Sequence, residues 1–144
     1  MPERERVLAL IHRHGWNATA FQTLESGYRY FFHGDDACVA YVDTGGAYVA
    51  AGAPIAEPDA LVDVTVAFLG AARAAGRRAC FFGTEGRLLE ALGDRLKSLR
   101  IGEQPVWDPG DWVAILKKKK SLREQLRRAK AKGCLLYTSD AADE

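Results

Sequence analysis

With 144 residues, 48% of them hydrophobic and 27% charged, and a formal net charge of +1, the chain has the makeup of one globular domain or one lobe of a larger protein. No apolar run approaches the ~20 residues of a membrane span, and the start "MPERERVLAL" reads as a charged amphipathic helix rather than a signal peptide. Cys38, Cys80 and Cys134 are far apart and form no C-x-x-C pair, which argues against a disulfide framework or a zinc site and for a reducing cytoplasm.

"ERERVLALIHRHG" places Val7, Leu8 and Ile11 on one helical face and Gly15 at the stop. The aromatic run Tyr28–Phe32 predicts a strand. "ACVAYVDTGGAYVAAG" predicts a hairpin around Asp43-Thr44-Gly45-Gly46. From Pro58, apolar residues recur at Leu61, Val64, Phe68, Ala71 and Ala75, a helix that Gly76 ends. "RACFFG" predicts a strand, "GRLLEALGDRL" a short helix, and "LRIGEQPVWD" a strand interrupted by proline. Antiparallel strands followed by βαβ-like crossovers predict an α+β fold, a mixed and mostly antiparallel sheet flanked by helices.

The net charge hides a segregation. Residues 1–116 carry 11 basic and 15 acidic side chains, whereas residues 117–133 carry nine basic ones against Glu124 alone. In "KKKKSLREQLRRAKAKG", Ser121 and Glu124 fit the S-x-x-E capping box. Leu122, Leu126 and Ala129 form an apolar stripe, and Lys120, Arg123, Arg127 and Lys130 a basic one. Such a helix suits a polyanion, whose phosphates relieve the crowding of cations and release counterions. A solvated surface helix and a contact with anionic lipid are the other readings of the same charges.

"NATAFQTLESGYRYFF" (Asn17–Phe32), "GAPIA" (Gly52–Ala56), "IGEQPVWDPGDW" (Ile101–Trp112) and the basic run appear in an order that resembles the catalytic domain of bacterial phosphatidylglycerol lysyltransferases and their soluble relatives. The basic run is also similar to one in the aminoacyltransferases that build peptidoglycan cross-bridges. The resemblance implies two acetyltransferase-like (GNAT) lobes that move an aminoacyl group from aminoacyl-tRNA to an acceptor, such as a phospholipid head group or another amine or hydroxyl. It implies no cofactor or metal, and a cytoplasmic protein with peripheral contact at the inner membrane face. On this reading residues 1–116 are the first lobe, 117–133 the basic inter-lobe helix, and a second lobe is missing. Lys119, Lys120, Arg123, Arg127 and Arg128 are the expected phosphate contacts, and Gly52, Ala53 and Pro54 a candidate substrate-facing turn. No catalytic acid or base is assigned, and a fragment lacking half its cleft is expected to be inactive.

The final eleven residues, "CLLYTSDAADE" (134–144), resemble a translated transposase-type sequencing adapter and are expected not to be native. Other chemistry is weaker. An acyl-CoA-dependent N-acetyltransferase needs a basic, glycine-rich pyrophosphate loop, and the nearest string, "RAAGRR" (Arg73–Arg78), ends a helix and lacks the final small residue. A non-catalytic RNA- or anionic-lipid-binding module would use the basic helix alone. His12, His14 and His33 are expected at the surface, and Cys38 and Cys80 in the core.

Overall fold

The α+β fold class expected from the sequence is present in the computed structural model, which describes residues 2–103 and 108–134. Helix α1 (Glu3–His14) leads through a 3-10 helix (Ala18–Leu24) to strands β1 (Arg29–His33), β2 (Ala37–Asp43) and β3 (Ala47–Ala51). Helix α2 (Leu61–Ala74) crosses to β4 (Arg78–Phe82), and α3 (Gly86–Leu92) follows. The sheet order is β1-β2-β3-β4. The first two pairings are antiparallel and β3–β4 is parallel, as a helical crossover requires.

One sheet face is covered by α2. Leu61, Val64 and Phe68 are buried there with Ala37, Val39 and Ala50, as the helical spacing predicted. Phe68 meets one aromatic from every strand: Phe31 at 5.7 Å, Tyr41 at 5.4 Å, Tyr48 at 6.2 Å and Phe81 at 5.6 Å between ring centres. The opposite face is covered by Val7, Leu10 and Ile11 of α1 and by Ala20, packed on Cys38 and Ile55.

Gly15 does end α1, with an ordinary extended backbone. A Cβ there would stand 2.5 Å from the Ile11 carbonyl oxygen, so close approach is its constraint. Several expectations are corrected. The 3-10 helix was not legible, although Asn17 caps it by accepting the Ala20 N–H at 3.0 Å. Cys80 is exposed, because Ala79 and Phe81 take the α2 side of β4 and turn Arg78, Cys80 and Phe82 away from it. Residues 99–103 and Asp108 are not in a strand; Gln104–Trp107, the rest of that predicted strand, lie outside the described residues.

The chain divides into two compact units, residues 1–99 and 100–144. In the second, α4 (Trp112–Lys118) and α5 (Lys120–Ala131) are separated by Lys119, whose φ of −102° and ψ of 90° leave the helical region. The expected single basic helix is therefore two. Ser121 lies inside α5 rather than at its cap, and Glu124 turns to Arg127 instead of closing a capping box. Of the expected adapter tail, residues 135–144 lie outside the described residues.

Candidate functional site

The parallel strands β3 and β4 end side by side, the position in α/β sheets where ligands are held. The turn after β3 is "GAPIA". Extending the β2–β3 register would put Cys38 opposite Ala53, but Cys38 pairs with Ile55 through two backbone bonds of 3.0 and 2.9 Å. Gly52–Pro54 absorbs two extra residues as a bulge, a feature that re-aims backbone beside functional sites. Gly52 has φ +74°, which favours glycine, and its N–H donates to the Phe82 carbonyl at 2.8 Å. Ala53 and Pro54 are buried, Ala53 against Leu88 and Leu92 of α3.

Polar side chains brace this turn. Arg87, on the first turn of α3, donates from Nη2 to the Ala56 carbonyl at 3.3 Å, and its guanidinium lies 3.7 Å from the centre of the Trp16 ring. Asn17 Nδ2 donates to Glu85 Oε1 at 2.5 Å. Burial pushes the Arg87 pKa down, while Glu85 and Glu57 act to raise it. Arg87 Nε and Trp16 Nε1 are buried without a hydrogen-bond partner among the described residues.

His14 corrects the surface expectation. Its side chain is only 5% exposed, with Nδ1 3.2 Å from Glu57 Oε1 and Nε2 3.1 Å from Asp36 Oδ1. The second approach has ion-pair distance but not the alignment of a good hydrogen bond. The nearby His14 ring, with Arg13, holds the Asp36 carboxyl below its usual range. Sequence reasoning missed Trp16, Asn17, Glu85 and Arg87, since Asn17 and Glu85 meet across 68 positions of chain.

The buried Cys38 thiol does not resemble an activated nucleophile. Burial pushes Cys38 up to about 12, so it stays protonated at neutral pH. Among the described residues no group of three or more His, Cys, Asp or Glu could hold a metal. "RAAGRR" forms a helix stop: Gly76 N–H donates to Arg73 at 2.9 Å and Arg77 N–H to Ala72 at 2.8 Å, leaving no phosphate cradle. A shallow groove of about 380 Å³ beside α1, lined by Pro2, Arg4, Glu5, Leu8 and Leu24, holds none of the sequence-predicted site residues.

In the second unit the five expected phosphate contacts fall into two groups. Arg123 donates from Nη1 to the carbonyls of Leu116 and Lys117, both at 2.6 Å. Arg127 grips Glu124, from Nη2 at 2.5 Å and Nε at 3.1 Å, which raises the Arg127 pKa and lowers that of Glu124. Lys119, Lys120 and Arg128 are exposed and have no side-chain partner among the described residues.

Residues 8–143 match the family model described as phosphatidylglycerol lysyltransferase, C-terminal. The chain belongs to this family. Similar solved structures include the C-terminal domain of a protein described as a lysylphosphatidylglycerol synthetase from Agrobacterium fabrum, at 26% identity and TM-score 0.57, covering 65% of this chain and 29% of that one. L-PGS from Bacillus licheniformis matches at 25% identity and TM-score 0.57, over 63% of this chain and 28% of that one. The matched part thus spans less than a third of either of those chains. The comparison with curated proteins gave no match. As in that family's C-terminal domain, a four-stranded, mostly antiparallel sheet is flanked by helices. Among the described residues no helix is long and apolar enough to cross a membrane.

Proposed function

We propose that this chain is part of an aminoacyltransferase that moves an aminoacyl group from aminoacyl-tRNA to an acceptor such as phosphatidylglycerol. The match to the lysyltransferase family over residues 8–143 carries the reading. The local chemistry supports it. The second unit concentrates cations on two short helices, and Lys119, Lys120 and Arg128 are available for the phosphates of an RNA stem. The GAPIA bulge at the carboxyl ends of β3 and β4 is the candidate substrate-facing backbone.

In the reaction, an acceptor oxygen attacks the ester carbonyl carbon of the aminoacyl-tRNA. A new ester bond forms, the bond to the terminal ribose oxygen breaks, and the acceptor's proton ends on that ribose. Both bonds are esters, so the protein's main contribution is to place the two substrates in contact. A two-lobe GNAT-like architecture would supply the remaining half of the cleft, and the protein would act in the cytoplasm against the membrane face.

The deciding experiment has two arms. The protein encoded by the whole source gene is incubated with labelled lysyl-tRNA and phosphatidylglycerol vesicles, and lipid-borne label is the expected product. The 144-residue chain is titrated with charged and deacylated transfer RNA across a salt series. Salt-dependent binding of any RNA without transfer by that protein would replace the enzyme reading with that of a non-catalytic binding module. Acetyl-CoA turnover would replace it with an N-acetyltransferase.

A further inference from the structure

We propose that Arg123 is a positioning residue, a latch that holds the bend between α4 and α5, and not one of the phosphate contacts. The four consecutive lysines Lys117–Lys120 run across the bend. A helix end leaves its last carbonyls without helical partners, and Lys119 breaks the ladder where that happens. Lys119 N–H still reaches the Ile115 carbonyl at 2.9 Å. The next two carbonyls, Leu116 and Lys117, are both taken by Arg123 Nη1 at 2.6 Å. The Arg123 backbone N–H donates to the Lys119 carbonyl at 3.2 Å, so the same residue begins the ladder of α5 and closes that of α4.

The electrostatics favour this use of the side chain. A cation at a helix C-terminus meets the negative end of the helix dipole, and bonds from a charged donor are stronger than neutral ones. Nothing else of opposite charge meets the Arg123 guanidinium among the described residues, so the carbonyls are its counterpart. The break at Lys119 also divides the four lysines between two helices, Lys117 and Lys118 in α4 and Lys120 in α5, in place of one unbroken helix crowded with like charges. The family match does not enter this inference. Its RNA arm alone rests on the function proposed above.

The test compares Arg123→Gln with Lys120→Gln and Arg128→Gln in the whole 144-residue chain. Amide hydrogen exchange is followed by mass spectrometry in peptides covering Trp112–Glu124, and binding of deacylated transfer RNA is measured over a salt series. Arg123→Gln should speed exchange across the α4–α5 junction by roughly tenfold, as expected when both charge-assisted bonds to the α4 carbonyls are lost. It should weaken RNA binding without changing the salt slope. Lys120→Gln and Arg128→Gln should leave exchange unchanged and lower the slope by about one each. Unchanged exchange in Arg123→Gln overturns the latch whatever the RNA does, and a slope lowered by about one in that variant would then make it a phosphate contact. If no variant alters RNA binding, the RNA reading fails, while the exchange data still decide the latch.

Discussion

The guanidinium of Arg87 lies over the face of Trp16, 3.7 Å from the ring centre, and fastens α3 to the segment that follows α1. The same side chain holds the Ala56 carbonyl just past the GAPIA bulge. Arg87→Ala removes a partly desolvated cation–π contact and a charged hydrogen bond, and should cost about 1–2 kcal/mol of stability. Arg87→Lys keeps the charge without the planar fork and should recover less than half of that loss. Urea unfolding monitored by tryptophan emission reads both. A lysine variant as stable as the parent would show that charge alone matters there.

Asparagine should ease the substitution at one glycine and not at another. Gly52 has φ +74° and open space where a Cβ would sit, so alanine there costs only backbone strain, about 1–2 kcal/mol. Asparagine tolerates that conformation better, and Gly52→Asn should be milder than Gly52→Ala. Gly15 has ordinary angles, but any Cβ would stand 2.5 Å from the Ile11 oxygen, so Gly15→Asn and Gly15→Ala should be equally harmful. Thermal unfolding midpoints of the four variants provide the comparison. Rescue by asparagine at Gly15 would contradict the steric account.

These positions also show what a sequence can reveal. The α2 stripe Leu61, Val64, Phe68 was legible because it repeats on the period of the helix that buries it. The hairpin was legible from its glycines, and the segregated cations from simple counting. The brace around GAPIA was not, since Trp16, Asn17, Glu85 and Arg87 are brought together only by folding. The break at Lys119 has no proline or glycine to announce it. Cys80 was misread although a usable signal was present. Period-two alternation from Arg78, which belongs in water, also turns Cys80 and Phe82 outward.

That alternation makes thiol reactivity a direct check. Cys80 and Cys134 are exposed and Cys38 is buried with its pKa raised to about 12. A thiol reagent at neutral pH should therefore modify two cysteines quickly and the third only on unfolding. Cys80→Ser should remove one fast equivalent and leave stability nearly unchanged, whereas Cys38→Ser places a hydroxyl in the α1-side core and should destabilise. Slow labelling of Cys80 in the native chain would return β4 to the buried position first expected of it.

Asp43 ties the hairpin to the connection between α2 and β4, and its contribution should depend on pH. Its Oδ1 accepts from the Gly45 N–H at 2.9 Å and from Arg77 Nε at 3.1 Å, and Oδ2 lies 3.5 Å from Arg29. The Gly45 bond first, and then Arg77 and Arg29, hold its pKa below the ordinary carboxylate value. The folded chain therefore binds the Asp43 proton less readily than the unfolded chain, whose aspartates titrate near ~3.9. Stability from this group is complete above the unfolded value and is lost as pH falls through the lower folded one. Asp43→Asn keeps an oxygen for Gly45 but no charge for the arginines. Its unfolding midpoint should lie below the parent's at neutral pH, and the gap should close as pH drops below about 4. Asp36 and Glu124, also lowered, titrate alike in both proteins and cancel from the difference. A gap that persists unchanged to pH 2 would mean that the asparagine disturbs the turn itself, and that the two arginines contribute nothing through charge.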